Sequence, residues 1–269
     1  MSSLEPRTAS NGQHAAADRL SGPVLLQARG LTRDFGTFRA VEDVDLDIYA
    51  GEIHALVGPN GAGKTTVLNL LGGQLLPTSG EIFFEGKALG SQRPHARARA
   101  GIGRSFQLTS IVPGFTCLQN VVIAFQAKQS MFSLLRWRAH GEDVKFAREL
   151  LELVGLSRAA DVPADLLAHG QQRQLEVAMA MGARPRVLLL DEPSSGMSVP
   201  ERHSLGKLLQ EVGKHTTIVI AEHDVPLVHA IATRVTAFSL GRKLIEGSAA
   251  EVFASADVQR VFLRGISDV

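Results

Sequence analysis

Ile53-His54-Ala55-Leu56-Val57-Gly58-Pro59-Asn60-Gly61-Ala62-Gly63-Lys64-Thr65-Thr66 runs from a short apolar stretch into a glycine-rich turn, then a lysine and two threonines. A strand that ends in G-x-x-x-x-G-K-[ST] and opens into a helix makes a phosphate cradle. The glycines at 58, 61 and 63 let the backbone turn tightly and point successive N–H groups inward. Lys64 is placed to reach β- and γ-phosphates, and the Thr65 hydroxyl to ligate Mg²⁺. The helix beginning near Gly63 aims its positive dipole end at the same anion, and Thr66-Val67-Leu68-Asn69-Leu70-Leu71 supplies the helical run that the motif needs. The stretch Gly58–Thr66 therefore predicts a nucleoside triphosphate site.

The bulk composition narrows the setting. The chain has 269 residues and 45% hydrophobic content, enough for one large α/β domain or two small ones. Lys and Arg number 28 against 27 Asp and Glu, a formal charge of +1, so no overall field draws it to nucleic acid. The single cysteine, Cys117, excludes an internal disulfide and fits a reducing compartment. No apolar stretch approaches the roughly 20 residues of a membrane span, and the first residues lack the apolar core of a secretory signal. Any link to a membrane is expected through a partner.

Residues 1–22, rich in Ser, Ala, Asn, Gln and Gly, read as a disordered leader, with an ordered domain over 23–269. Strands are expected from Val24, at Ala40–Ile48, at Ile53–Val57 and at Gly80–Gly86, with a helix after Lys64 that closes at Gly72-Gly73. From about Gln107 to 170 the pattern turns helical, with apolar faces at Leu118, Val121, Val122 and Phe125 and at Phe146, Leu150, Leu153 and Val154. Arg186–Asp191 and Thr216–Glu222 are uniformly apolar, as strands buried on both faces should be, and Val199–Val212 reads as the helix between them. A hairpin is expected over Val235–Glu246, and one terminal helix from about Ala249 to Leu263.

A P-loop alone leaves the enzyme class open, and the second half of the chain narrows it. Val187–Pro193 is a buried strand ending in paired carboxylates. Asp191 is placed to hold Mg²⁺ and Glu192 to polarise an attacking water. Ile220-Ala221-Glu222-His223-Asp224 puts His223 at another strand's C-terminal end, where open α/β sheets build their sites and where a γ-phosphate contact is expected. Leu167-Ala168-His169-Gly170-Gln171 precedes a helix expected from about Gln172 to Met181. It offers a second helix N-terminus to phosphate, without a following lysine, and so suggests completion of a site elsewhere.

These pieces, in this order, resemble the ATP-binding subunit of an ATP-binding cassette (ABC) transporter. The resemblance covers nearly everything from Val24 to Leu263. It implies a P-loop NTPase core of α/β class with an antiparallel β subdomain and an inserted helical subdomain over about 107–170. Gly58, Pro59, Asn60, Gly61, Ala62, Gly63, Lys64, Thr65 and Thr66 match Walker A, and Val187–Glu192 match Walker B with its catalytic glutamate. His223 matches the H-loop, and Leu167, Ala168, His169, Gly170 and Gln171 match the signature that faces a partner's ATP. Gln107 matches the Q-loop, with a place in catalysis and, beside Thr65 and Asp191, around the metal. Phe35 falls about where the family's adenine-stacking aromatic lies, with Phe38 as the alternative. ATP and Mg²⁺ are the implied cofactors.

Gly103-Arg104-Ser105-Phe106-Gln107-Leu108, the long polar–basic stretch Lys128–Glu142, the run from His169 to Met181 and the ending Asp257–Leu263 resemble the branched-chain amino acid importer ATPases. The Asp191–Met197 run is similar to that of the urea-importer ATPases. The resemblance implies an importer subunit working with two transmembrane permease subunits, a second ATPase subunit and, indirectly, an extracellular or periplasmic solute-binding protein. It also implies a peripheral position on the cytoplasmic face of the plasma membrane. Two departures stand out: Ala168 replaces the signature's usual serine and His169 its first glycine, and Ser198 replaces the aspartate usual after Met197. Both weaken what this chain lends to a neighbour's nucleotide and leave its own Walker residues intact, so a heterodimer is expected. The alternatives are a non-transport cassette ATPase, which usually carries fused cassettes, coiled coils or basic extensions absent here, and a regulatory cassette with weak turnover.

Overall fold

A computed structural model describes residues 22–104, 111–129 and 141–267. The polypeptide first forms an antiparallel sheet. β1 (Val24–Phe35) and β2 (Phe38–Tyr49) pair along their lengths. After β3 (Ile53–Val57), β4 (Ser79–Phe84) and β5 (Lys87–Ala88) add to the β1 side, giving the order β2-β1-β4-β5.

β3 belongs to a second sheet with β6 (Ile102–Arg104), β7 (Val187–Asp191), β8 (Thr217–Glu222), β9 (Arg234–Ser239) and β10 (Arg242–Gly247), in the order β10-β9-β3-β8-β7-β6. β3, β7 and β8 are buried at every residue, which explains why they read as predominantly apolar runs. Alternate residues serve opposite layers, as the strand period of 2 requires. Leu188, Leu190, Ile218 and Ile220 pack into one core, whereas Val187, Leu189, Val219 and Ala221 pack into the other.

The second of these cores holds α1 (Lys64–Gly72) between the two sheets, through Val67, Leu68, Leu70 and Leu71. Burial of each such side chain stabilises by about 1.5–3 kcal/mol, so the helix that follows the glycine turn is fixed from both sides. The other core joins α3 (Cys117–Gln129), α4 (Gly141–Leu153), α5 (His169–Gly182), α6 (Val199–Gly213) and α7 (Val225–Ile231) to the parallel sheet. Between 111 and 168 the described residues form α3, α4 and two short 3₁₀ turns, with a single β-bridge from Thr116 to Pro163.

Several elements differ from the sequence expectation. α2 (Pro94–Ala100) has alternating Ala and Arg and no apolar stripe to betray it. Tertiary contact holds it: the fully buried Arg97 donates to the carbonyls of Leu70 (2.6 Å) and Leu71 (2.9 Å), in the last turn of α1, where intrahelical donors run out. α5 begins at His169, three residues before the expected start, because Ala168 takes the extended cap conformation and its N–H donates to the Gln171 side chain at 3.2 Å. The terminal helix is two helices, α8 (Ala249–Ala254) and α9 (Ala256–Ser267), broken where Ser255 is extended. The expected leader over residues 1–22 falls, but for Gly22, outside the described residues, as do Gln107 and most of the polar–basic stretch Lys128–Glu142.

Candidate functional site

Strand register brings the candidate site residues to one edge. Val57 lies opposite Glu222, and Asp191 opposite Ala221. The C-terminal ends of β3, β7 and β8 are therefore side by side, and the glycine turn, the Asp191-Glu192 pair and the Glu222-His223 pair leave the sheet together.

The turn requires glycine at two places. Gly58 has φ 151° and a Cβ there would lie 2.4 Å from the Phe238 carbonyl oxygen; Gly63 has φ 102° and its Cβ would lie 2.7 Å from the Ala40 oxygen. A side chain at either would push the turn off the strands beneath it. Lys64 folds back under its own turn, and Nζ donates to the carbonyls of Gly58 (2.7 Å) and Pro59 (3.0 Å). Burial pushes the Lys64 pKa below its ordinary value, and Glu192, Asp191 and Glu222 oppose that shift. A concave backbone with a buried ammonium and a helix N-terminus fits a chain of phosphates.

Asp191 ends β7 with its carboxylate engaged on both oxygens. Oδ1 accepts the Thr65 hydroxyl at 3.0 Å, and Oδ2 faces Arg104 at 3.2 Å. Burial raises the Asp191 pKa, while the Thr65 hydrogen bond and then the Arg104 charge pull it down. Nη1 of Arg104 donates to Asn69 of α1 (2.7 Å) and to Gln74 just beyond it (2.9 Å). Arg104 had no role in the sequence reading. A basic residue at the end of a three-residue strand carries no periodic signal, and its partners are distant in the chain.

Glu192 sits at φ 45°, in the left-handed region, a conformation that costs a non-glycine residue about 1–3 kcal/mol. Its N–H donates to the Ala221 carbonyl at 2.9 Å. The wholly buried Glu222 stabilises the same corner, accepting the N–H of Ser194 (2.9 Å) and of His223 (3.1 Å). Glu222 was read only as the last residue of a strand; a charged residue closing an otherwise apolar strand was the available signal. The Glu192 carboxylate and His223 Nδ1 are 3.7 Å apart, too long for a hydrogen bond, and both groups are open to solvent.

Phe35 and Phe38 pair across the turn of the β1–β2 hairpin and are both exposed. The Arg33 guanidinium lies 4.6 Å from the centre of the Phe35 ring. Leu167 is buried while Ala168, His169 and Gln171 are exposed at the α5 N-terminus. That turn packs against the start of α6. A Cβ on Gly170 would lie 3.0 Å from Glu201 Oε1, and one on Gly196 3.6 Å from His169 Cε1. Glu201 accepts the Ser198 hydroxyl (2.6 Å) and N–H (2.8 Å). These bonds, hydroxyl first, hold its carboxyl below the usual range, and the nearby His169 adds to the effect. Ser198 thus has a local task at the start of α6. Among the described residues, no hydrogen bond or ion pair joins the 167–171 turn to the glycine turn.

The pattern of the ABC transporter family matches residues 41–195. The chain is 38% identical over 248 residues to the high-affinity branched-chain amino acid transport ATP-binding protein LivG of Escherichia coli K12, covering 89% of this chain and 97% of that protein. It is 34% identical to BraF of Pseudomonas aeruginosa, a protein of the same description, covering 91% and 99%. Among solved structures it is similar to an ATP-binding cassette of an ABC transporter in its ADP conformation, with TM-score 0.81, 26% identity and coverage of 90% and 99%. It is also similar to cbiO1 from Clostridium perfringens, with TM-score 0.75, 29% identity and coverage of 90% and 95%. No described helix is long and apolar enough to cross a membrane. A family match over more than half its length, on a fold that gathers the glycine turn and two acidic strand ends at one edge, means that this chain belongs to the ABC transporter family, as one of its ATP-binding cassettes.

Proposed function

We propose that this chain is the ATP-hydrolysing subunit of an importer for branched-chain amino acids or related small solutes such as urea and amides. The observation that carries the reading is the shared edge of β3, β7 and β8, taken with the near full-length similarity to LivG and BraF. In this reading the N–H groups of the 58–66 turn and Lys64 bind the ATP phosphates, and Phe35 stacks on the adenine. Thr65 and Asp191 present hard oxygen donors 3.0 Å apart, a donor set suited to Mg²⁺. When bound, Mg²⁺ neutralises charge on the β- and γ-phosphates. Glu192 accepts the proton of the attacking water, and His223 steadies the γ-phosphate beside it. Gln107 is assigned to the metal and water from its sequence position alone.

The chain works, in this proposal, as domain 23–269 at the cytoplasmic face of the membrane, beneath two permease subunits that receive solute from a binding protein. The 107–170 region offers the helical contact to the permease. Ala168 lacks the hydroxyl that would bond a partner's γ-phosphate, whereas the chain's own Lys64, Asp191, Glu192 and His223 are present, so the second ATPase is a different polypeptide. The test is to purify the chain with its permease and second ATPase and measure ATP hydrolysis with the binding protein, with and without leucine, urea or acetamide. Stimulation by one of these solutes is expected. Hydrolysis that no solute or binding protein alters, from a chain that does not associate with a permease, contradicts the proposal.

A further inference from the structure

We propose that Arg104 is a positioning residue for metal-nucleotide binding, holding the Asp191 carboxylate toward Thr65 and tying it to the P-loop helix. The inference rests on the ATP-site reading above and adds to it a residue that acts through Asp191.

Three elements meet at this guanidinium. Arg104 ends β6, next to β7 in the sheet and in register with Leu189. One arm pairs with Asp191 Oδ2 at 3.2 Å, and the other donates to Asn69 Oδ1 at 2.7 Å and Gln74 Oε1 at 2.9 Å. Both members of the ion pair are buried, with side-chain exposures of 8% and 0%. A planar guanidinium fixes the directions of its donors, so anchoring one arm on α1 sets the angle at which the other meets Asp191. That angle leaves Oδ1 turned to Thr65, the second oxygen donor, which lies on the same helix as Asn69. A carboxylate has about four acceptor sites, and each Asp191 oxygen is bonded here to one group, so sites remain for a metal or its water. Arg104 thus couples the spacing of α1 and β7, the two elements that carry the metal's donors.

A lysine in its place would keep the charge and lose the fork. Removing Asn69 and Gln74 would keep the fork and lose its anchor. Partners that orient metal ligands typically change metal affinity by about 10–100-fold when removed.

The experiment measures ATP affinity in EDTA and in Mg²⁺, together with Mn²⁺ affinity of the ATP complex by electron paramagnetic resonance, for the full chain. Arg104→Ala is expected to leave ATP affinity in EDTA within about twofold of wild type, to weaken Mn²⁺ by about tenfold or more, and to broaden the Mn²⁺ spectrum. Arg104→Lys and the double variant Asn69→Ala/Gln74→Ala are expected to fall between, and they carry the test if Arg104→Ala does not fold. Asp191→Asn serves as reference. If it loses Mn²⁺ while the Arg104 and Asn69/Gln74 variants bind like wild type, the positioning role is overturned and the site stands. If Asp191→Asn itself binds Mn²⁺ normally, the site reading fails instead. A loss of ATP affinity in EDTA equal to the loss in Mg²⁺ would also overturn the proposal, since it would show a general structural defect.

Discussion

Replacing Glu222 by Gln tests how the corner proposed to carry catalysis is held. The carboxylate accepts one N–H on each oxygen, from Ser194 at 2.9 Å and from His223 at 3.1 Å, and it is wholly buried. Glutamine has one acceptor and one donor end, so one of these N–H groups must face an NH₂ group. A hydrogen bond to a charged group contributes about 1.5–3 kcal/mol, and a buried donor left unpaired costs a similar amount. The expected destabilisation is about 2 kcal/mol, a fall in melting temperature of about 4–8 °C for a chain of this size. Glu222→Ala loses both bonds and leaves a cavity, and should cost about 3–5 kcal/mol. Because the Ser194 and His223 amides flank Glu192 and its left-handed backbone, turnover should fall by about tenfold or more even where the protein remains folded. Denaturant unfolding and ATPase rates of the two variants measure this. Stability within about 0.5 kcal/mol of wild type and unchanged turnover for Glu222→Gln would refute the argument.

Other substitutions probe the remaining parts. Lys64→Ala should remove most nucleotide affinity because the phosphate charge loses its buried counter-ion; unchanged affinity in a binding titration would contradict the assignment of the glycine turn. Phe35→Ala should weaken ATP by about 1–3 kcal/mol with little change in ATP-over-GTP preference, and a loss confined to Phe38→Ala would move the adenine platform across the hairpin. Ala168→Ser should strengthen closure over the partner's ATP by about 1–3 kcal/mol in the assembled pair. A purified single chain that forms an ATP-dependent homodimer as active as the full complex would show that no distinct partner is needed.

Much of the core was legible because local pattern and tertiary role coincide. Val187–Leu190 and Ile218–Ala221 are apolar throughout since both faces are covered, and the glycine turn has to be glycine where Gly58 and Gly63 lie against carbonyl oxygens. The less legible elements draw their stability from distant groups. α2 depends on Arg97 reaching the end of α1, and β6 is three residues whose meaning lies in pairing with β7. Arg104 and Glu222 were passed over for the same reason, as their partners at 69, 74, 191 and 194 are unrelated to them by any sequence period. Ser198 was read only as a missing aspartate, and its bonds to Glu201 were not visible in the motif.

The most direct test of the central claim, that the carboxylate edge beside the glycine turn hydrolyses ATP, is the ATPase rate of Glu192→Gln in the assembled complex with ATP binding measured alongside. The amide preserves the shape of the side chain and cannot accept the proton of water. Full ATP binding with turnover abolished and the ATP-bound pair trapped closed is the predicted result. Turnover within a few-fold of wild type would remove Glu192 from the reaction and contradict the account.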